Sequence, residues 1–248
     1  MTIPNLFVSN RIFLGRTLNK KNPCLQIKSS ENLLPETYQS FKKCTLKQCN
    51  FFLSHLILKN KYTNLISKNT QFALFKKHFF DTMTLIVFFK CFQQKKKKIS
   101  SLDIGTGSGF PGLLLSIIFD HSFFLLVESI QKKSMFHQII IDFLFLYNSG
   151  AICSRIESIG KMKEFRGKFS FITARAVSEI RPLIQFSAPL LKKRGKFLIL
   201  KQTEKLNEEI KESLFYSSHN RKKIKGIFHV SNINKGRVVL TFQGENKI

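Results

Sequence analysis

A short apolar run, Ile99 to Ile104, leads into a turn with glycines at alternate positions, Gly105, Gly107 and Gly109, and then into an apolar helical stretch, Gly112 to Phe119. A strand that turns through glycine into a helix is the opening unit of a parallel α/β sheet, and this constrains the chain more than any other feature. The alternation continues downstream. Phe123 to Glu128 reads as a second strand with a helix over Gln131 to Tyr147, and Ala151 to Ser154 as a weak third strand. Phe169 to Thr173 reads as a fourth, followed by a helix over Ile180 to Leu191 and a fifth strand over Gly195 to Lys201. The expected class is α/β, a doubly wound, mostly parallel sheet with helices on both faces.

The flanks follow other rules. From Leu34 to about Phe92 long apolar and basic residues recur with little of the punctuation that separates strands, which predicts a helical cap. The polar run Gln93 to Lys98 then breaks the hydrophobic pattern and reads as a solvated connection or an RNA contact. Near the end, an acidic helix is expected around Glu204 to Leu214. Two strand-like runs, Gly226 to Val230 and Arg237 to Phe242, are joined by the turn-rich Ser231 to Gly236 and predict an antiparallel hairpin. The expected organisation is a poorly ordered extension over 1–33, a helical cap over 34–94 and the α/β domain over 99–248.

The chemistry of the turn follows from its spacing. A dinucleotide fingerprint would place a third glycine where this chain has the bulky Phe110. Instead Asp103 precedes the alternate glycines, and a carboxylate there can accept a bond from an ammonium group. Glycines let the backbone turn tightly and approach a ligand, because no Cβ intervenes. Glu128 ends the next strand, where a carboxylate is placed to hold the two ribose hydroxyls of an adenosine cofactor. Taken alone, Glu128 reads equally well as an ordinary strand-end charge. An adenosine cofactor that carries an amine is S-adenosylmethionine, and its expected ligands are Asp103, Gly105, Gly107, Gly109 and Glu128. A class I, Rossmann-like methyltransferase fold is the expectation that follows. Arg155-Ile156-Glu157 follows the third strand, where a loop touches an adenine or forms a surface ion pair. Arg175 follows the fourth at the same edge of the sheet.

The charge balance bears on partners. Lysine and arginine number 41 against 15 acidic residues, a formal net charge of +26. Such a field attracts phosphate backbones or anionic lipid, and nucleic acid is the partner it favours; a lysine-rich composition accounts for part of it. Five cysteines without a CxxC pair fit neither a disulfide framework nor a zinc site, and no metal is expected. No apolar run approaches the roughly 20 residues of a membrane span. The expectation is a soluble, cytoplasmic monomer. The acid-free start of the chain, with Arg11, Arg16, Lys20, Lys21 and Lys28, keeps an organellar transit peptide open as the alternative.

The run Leu102 to Gly112, LDIGTGSGFPG, resembles the signature of the bacterial 16S rRNA guanine-N7 methyltransferase family, also called glucose-inhibited division protein B. Lys61 to Ile66, Lys77 to Thr82, Val127-Glu128-Ser129, Ser154 to Glu157, Thr173 to Ala176 and Gly244 to Ile248 resemble further motifs of that family in the same order. The resemblance spans about Leu53 to Ile248. It implies that Gly105 and Phe110 contact the cofactor, that Ile156 and Glu157 lie by the adenine, that Glu128 holds the ribose, and that Arg175 completes the site as the catalytic residue. It further implies guanine N7 as the acceptor and 16S rRNA, or the small ribosomal subunit, as the partner. Leu200-Lys201-Gln202 and Lys77 depart from the family pattern. Two other functions share such a fold, a non-catalytic ribosome-assembly factor and a nicotinamide-dependent oxidoreductase; the glycine spacing argues against the second.

Overall fold

The computed structural model describes residues 43–66, 78, 82–83, 85–86, 89–90, 98–175, 180–202, 223–230 and 237–243. The 1–33 extension, most of the Gln93 to Lys98 connection, the acidic helix around Glu204 and the turn at 231–236 lie outside the described residues. Among the described residues helix α1 (Lys43–Thr63) comes first. The alternating part then runs β1 (Ser100–Ile104), α2 (Gly112–Ile118), β2 (Phe123–Glu128), α3 (Gln131–Phe143), β3 (Ser149–Cys153), α4 (Ile156–Ile159), β4 (Phe169–Arg175), α5 (Ile180–Ser187) and β5 (Leu191–Gln202). Strands β6 (Lys223–Val230) and β7 (Arg237–Gln243) close the order.

Among the described residues the sheet has seven strands in the order β3-β2-β1-β4-β5-β7-β6. The first five in sequence are mutually parallel, while β7 pairs antiparallel with both β5 and β6. Val230 pairs with Arg237, so β6 and β7 form the expected hairpin, inserted with its second strand against β5. The strand order reverses between β1 and β4, which opens a crevice at the carboxyl ends of those strands.

Period-two alternation sorts the strand residues onto two faces. Phe124, Leu126, Phe171, Leu198 and Leu200 join α1, α2 and α3 in one apolar cluster. Leu102, Ile104, Leu125, Val127, Ile172, Ala174, Phe197 and Ile199 join α4 and α5 in the other. Helix α1 is part of the first cluster, with Phe52 and Leu56 completely buried beside Leu113 and Phe136. The helical segment before the sheet therefore supplies core to it.

Element boundaries moved where tertiary contacts overrode local pattern. The helix expected to reach Tyr147 stops at Phe143, because Phe145 takes a left-handed φ of 52°. The Leu146 N–H then donates to the Ile141 carbonyl at 2.9 Å and the Phe145 N–H to the Asp142 carbonyl at 3.2 Å, a Schellman ending with phenylalanine where glycine is usual. The helix expected over Ile180 to Leu191 ends at Ser187 and passes into a 3₁₀ turn, Ala188–Leu190, around Pro189. Strand β5 begins four residues earlier than Gly195, through a register irregularity opposite Phe169 and Phe171.

Candidate functional site

The glycine turn, Glu128, Cys153 and Arg175 stand at the same carboxyl edge of the sheet, because register pairs Ile104 with both Val127 and Ala174 and pairs Glu128 with Cys153. Gly105 leaves β1 at φ 65° and donates its N–H to the Val127 carbonyl at 2.8 Å. Gly107 and Gly109 follow at φ 61° and 97°. All three lie in the left-handed region that side chains resist, which is the reason for the alternate spacing. Gly109 has a second constraint: a Cβ there would sit 2.9 Å from the Phe52 ring, so α1 packs directly onto the turn.

Asp103 lies beneath the turn. It is 1% exposed, and its two oxygens accept from the Thr173 hydroxyl at 2.6 Å and the Gly112 N–H at 2.9 Å. Burial raises its pKa to about 6 against the lowering effect of those bonds and of Arg175. Asp103 thus ties β1 to β4 and to the first residue of α2. An ammonium group approaching it would share oxygens already bonded within the protein. Gly112 is confined for the same reason, since a Cβ there would meet the Asp103 carboxylate at 2.5 Å.

Glu128 faces the turn from β2. Its Oε2 accepts the Gly107 N–H at 2.8 Å and its Oε1 the Ile130 N–H at 3.0 Å. A carboxylate offers about four lone-pair positions, so capacity remains for hydroxyl donors. Beside it, the Ser154 N–H donates to the Glu128 carbonyl at 3.0 Å, which brings the start of α4 to the same edge. Glu157 is half-buried in the first turn of α4, and Ile156 packs against the second apolar cluster.

Arg175 ends β4 and hydrogen-bonds His78, while its guanidinium carbon lies 5.9 Å from the centre of the Phe110 ring. Phe110 is 1% exposed and contacts the rings of Phe52 at 5.3 Å and His78 at 5.4 Å between centroids. The arginine is therefore held by a histidine from the segment that precedes the sheet and by an aromatic face from the turn, a cation–π arrangement.

The family model described as GidB, rRNA small subunit methyltransferase G, matches residues 45–233. The chain belongs to the rRNA small subunit methyltransferase G family. It is 32% identical over 156 residues to a protein named ribosomal RNA small subunit methyltransferase G from Leuconostoc citreum, covering 63% of this chain and 64% of that relative. A protein of the same name from Lactococcus lactis is 33% identical over 168 residues, covering 68% and 69%. Among solved structures, a SAM dependent methyltransferase from Aquifex aeolicus superposes with a TM-score of 0.50 at 13% identity, covering 68% of this chain and 91% of that one. At that identity the likeness shows the fold alone, and it agrees with the class I, Rossmann-like sheet described above.

In this member of the rRNA small subunit methyltransferase G family, the structure adds three residues to the site that spacing did not single out. Phe52 and His78 come from the helical segment, far from the turn in sequence, and only packing brings them to it. His137 of α3 is completely buried with its Nε2 2.9 Å from the Gly107 carbonyl oxygen. His78 lies within the Lys77 to Thr82 motif of the resemblance, whereas nothing local to Phe52 or His137 marks such a contact. No helix among the described residues is long and apolar enough to cross a membrane.

Proposed function

We propose that this chain transfers the methyl group of S-adenosylmethionine to N7 of a guanine in small-subunit ribosomal RNA. The observation that carries this reading is the Gly107 peptide held against the Glu128 carboxylate at the carboxyl edge where the strand order reverses. The fit to the cofactor rests on two features: a backbone at Gly105, Gly107 and Gly109 whose positive φ leaves no side chain over the turn, and a partly satisfied carboxylate beside it.

In this reading Gly105, Gly107, Gly109 and Phe110 cradle the cofactor, Glu128 takes its ribose hydroxyls, and Ile156 and Glu157 border its adenine. Asp103 serves from beneath, by bracing the turn between β1, β4 and α2. When bound, S-adenosylmethionine supplies a methyl group activated by a sulfonium. Guanine N7 already presents a lone pair, so no residue has to remove a proton, and the work of the chain is alignment. Arg175, fixed by His78 and Phe110, contributes its positive field at the acceptor side and is the proposed catalytic residue.

The partner in this reading is the small ribosomal subunit or its 16S RNA, met in the cytoplasm by a monomer with a +26 charge. The proposed organisation keeps the extension over 1–33, the helical part over 34–94 and the methyltransferase domain over 99–248. Incubation with radiolabelled S-adenosylmethionine and unmethylated small subunits, followed by cleavage at N7-methylguanine, tests it. Label at one guanine is the expected result. Cofactor binding without label would leave the assembly-factor reading in its place.

A further inference from the structure

His137 is an unusual residue for its position. It is completely buried on α3, and its Nε2 lies 2.9 Å from the Gly107 carbonyl oxygen. A carbonyl oxygen only accepts, so Nε2 carries the proton and donates. The ring is neutral, because burial drives its pKa down to about 4, with Lys133 adding to the fall and the Gly107 bond and Glu128 opposing it. The lone pair then sits on Nδ1, which is buried and meets no hydrogen-bond partner among the described residues. A buried acceptor without a partner costs stability. An apolar side chain would fill the same space without that cost, and among the described residues the polar contact His137 makes is to the glycine turn.

That contact completes a grip on one residue. The Gly107 N–H donates to Glu128 Oε2 at 2.8 Å, and its carbonyl accepts from His137 at 2.9 Å. The two peptide units flanking Gly107 are thereby fixed, and with them a φ of 61° at a residue that has no side chain to restrict it. Glycines give the turn its close approach to a ligand but also let it sample many other conformations. A donor from α3 on one side and an acceptor from β2 on the other remove that freedom.

We propose that His137 is a positioning residue that holds the Gly107 carbonyl and so keeps the turn in its cofactor-binding conformation. This rests on the reading of the turn as the S-adenosylmethionine site. His137 itself touches neither cofactor nor substrate. Its contribution is to reduce the ordering that the turn would otherwise undergo on binding.

The test uses S-adenosylhomocysteine binding by calorimetry together with thermal unfolding, on the full chain. Wild type is measured first, and absence of binding there would overturn the cofactor reading and this inference together. With wild type binding, His137→Leu is expected to unfold at an equal or higher temperature yet bind roughly three- to tenfold more weakly, the loss of one hydrogen bond. His137→Gln, whose amide nitrogen reaches about as far as Nε2, is expected to restore binding, and the shorter His137→Asn is not. Unchanged affinity in His137→Leu would overturn the inference while leaving the cofactor reading standing. Equal affinities for the Gln and Asn variants would overturn it as well, and that comparison decides if the leucine variant does not fold.

Discussion

Asp103 and Thr173, seventy positions apart, share a 2.6 Å hydrogen bond in the interior of the sheet, on adjacent parallel strands in direct register. The bond joins β1 to β4 at the reversal of strand order, immediately below the glycine turn. Burial there raises the pKa of the Asp103 carboxyl against the lowering effect of that bond, under a site where burial lowers the pKa of the α3 histidine.

The pH dependence of stability follows from this pair. Asp103 rises from 3.8 to about 6 on folding, so its contribution is full below pH 3.8 and is lost as pH climbs to 6. His137 falls from 6.5 to about 4, so its contribution is full above pH 6.5 and is lost as pH drops to 4. Each is a pH-linked loss on the order of 3 kcal/mol across its window, counted from the level of the neutral side chain rather than from a residue replaced there. Between pH 4 and 6 the slopes are opposite and largely cancel. Relative to wild type, His137→Leu is therefore expected to lose stability more steeply as pH rises through this range, and Asp103→Asn to gain it. Denaturant midpoints at several pH values check both, and parallel curves for all three proteins would count against the assigned shifts.

Phe145 is held at φ 52° and is 71% exposed, so its ring contributes little to the core while its backbone is strained. Phe145→Gly is expected to raise stability by about 1 kcal/mol by relieving that conformation, measured by chemical denaturation. A loss of stability would mean that the ring has a packing role.

The turn and its carboxylate are tested by cofactor affinity. Gly105→Arg places a long side chain at a left-handed position that meets Val127, and is expected to abolish S-adenosylhomocysteine binding. Glu128→Ala removes the acceptor of Gly107 and the proposed ribose ligand, with an expected loss of roughly ten- to a hundredfold in Kd. Wild-type affinity in the alanine variant would exclude Glu128 from the site.

Arg175→Ala is expected to retain cooperative unfolding and to lower methyl transfer by roughly a hundredfold, the scale of one electrostatic contact at a transition state. His78→Ala, which removes one of the contacts that hold the guanidinium, is expected to give a smaller loss of the same kind. Full methylation by Arg175→Ala would remove it from the mechanism.

Much of this was legible in the order of residues. Short apolar runs separated by helical stretches announced the parallel sheet, because each βα unit is a local pattern. The span of β2, Phe123–Glu128, needed no correction. The alternate glycines could be read as a tight turn open to a ligand for the same reason, since the lack of a Cβ belongs to each residue, whereas their left-handed φ came from the structure. Boundaries were less legible where they depend on something remote. Phe145 ends α3 without glycine because Leu146 is drawn into the core, and no propensity at Phe145 signals that.

What the sequence by itself determined was the class of sheet, the place of the turn and the chemistry of the side chains around it. Only the tertiary structure decided which of those side chains meet. It turned Asp103 inward to Thr173 and Gly112, set Phe52 against Gly109, placed His78 on Arg175 and brought His137 to Gly107. Local pattern fixes dihedrals and faces. Contacts across many tens of residues depend on how helices seat on the sheet, and that is settled by packing rather than by any one segment.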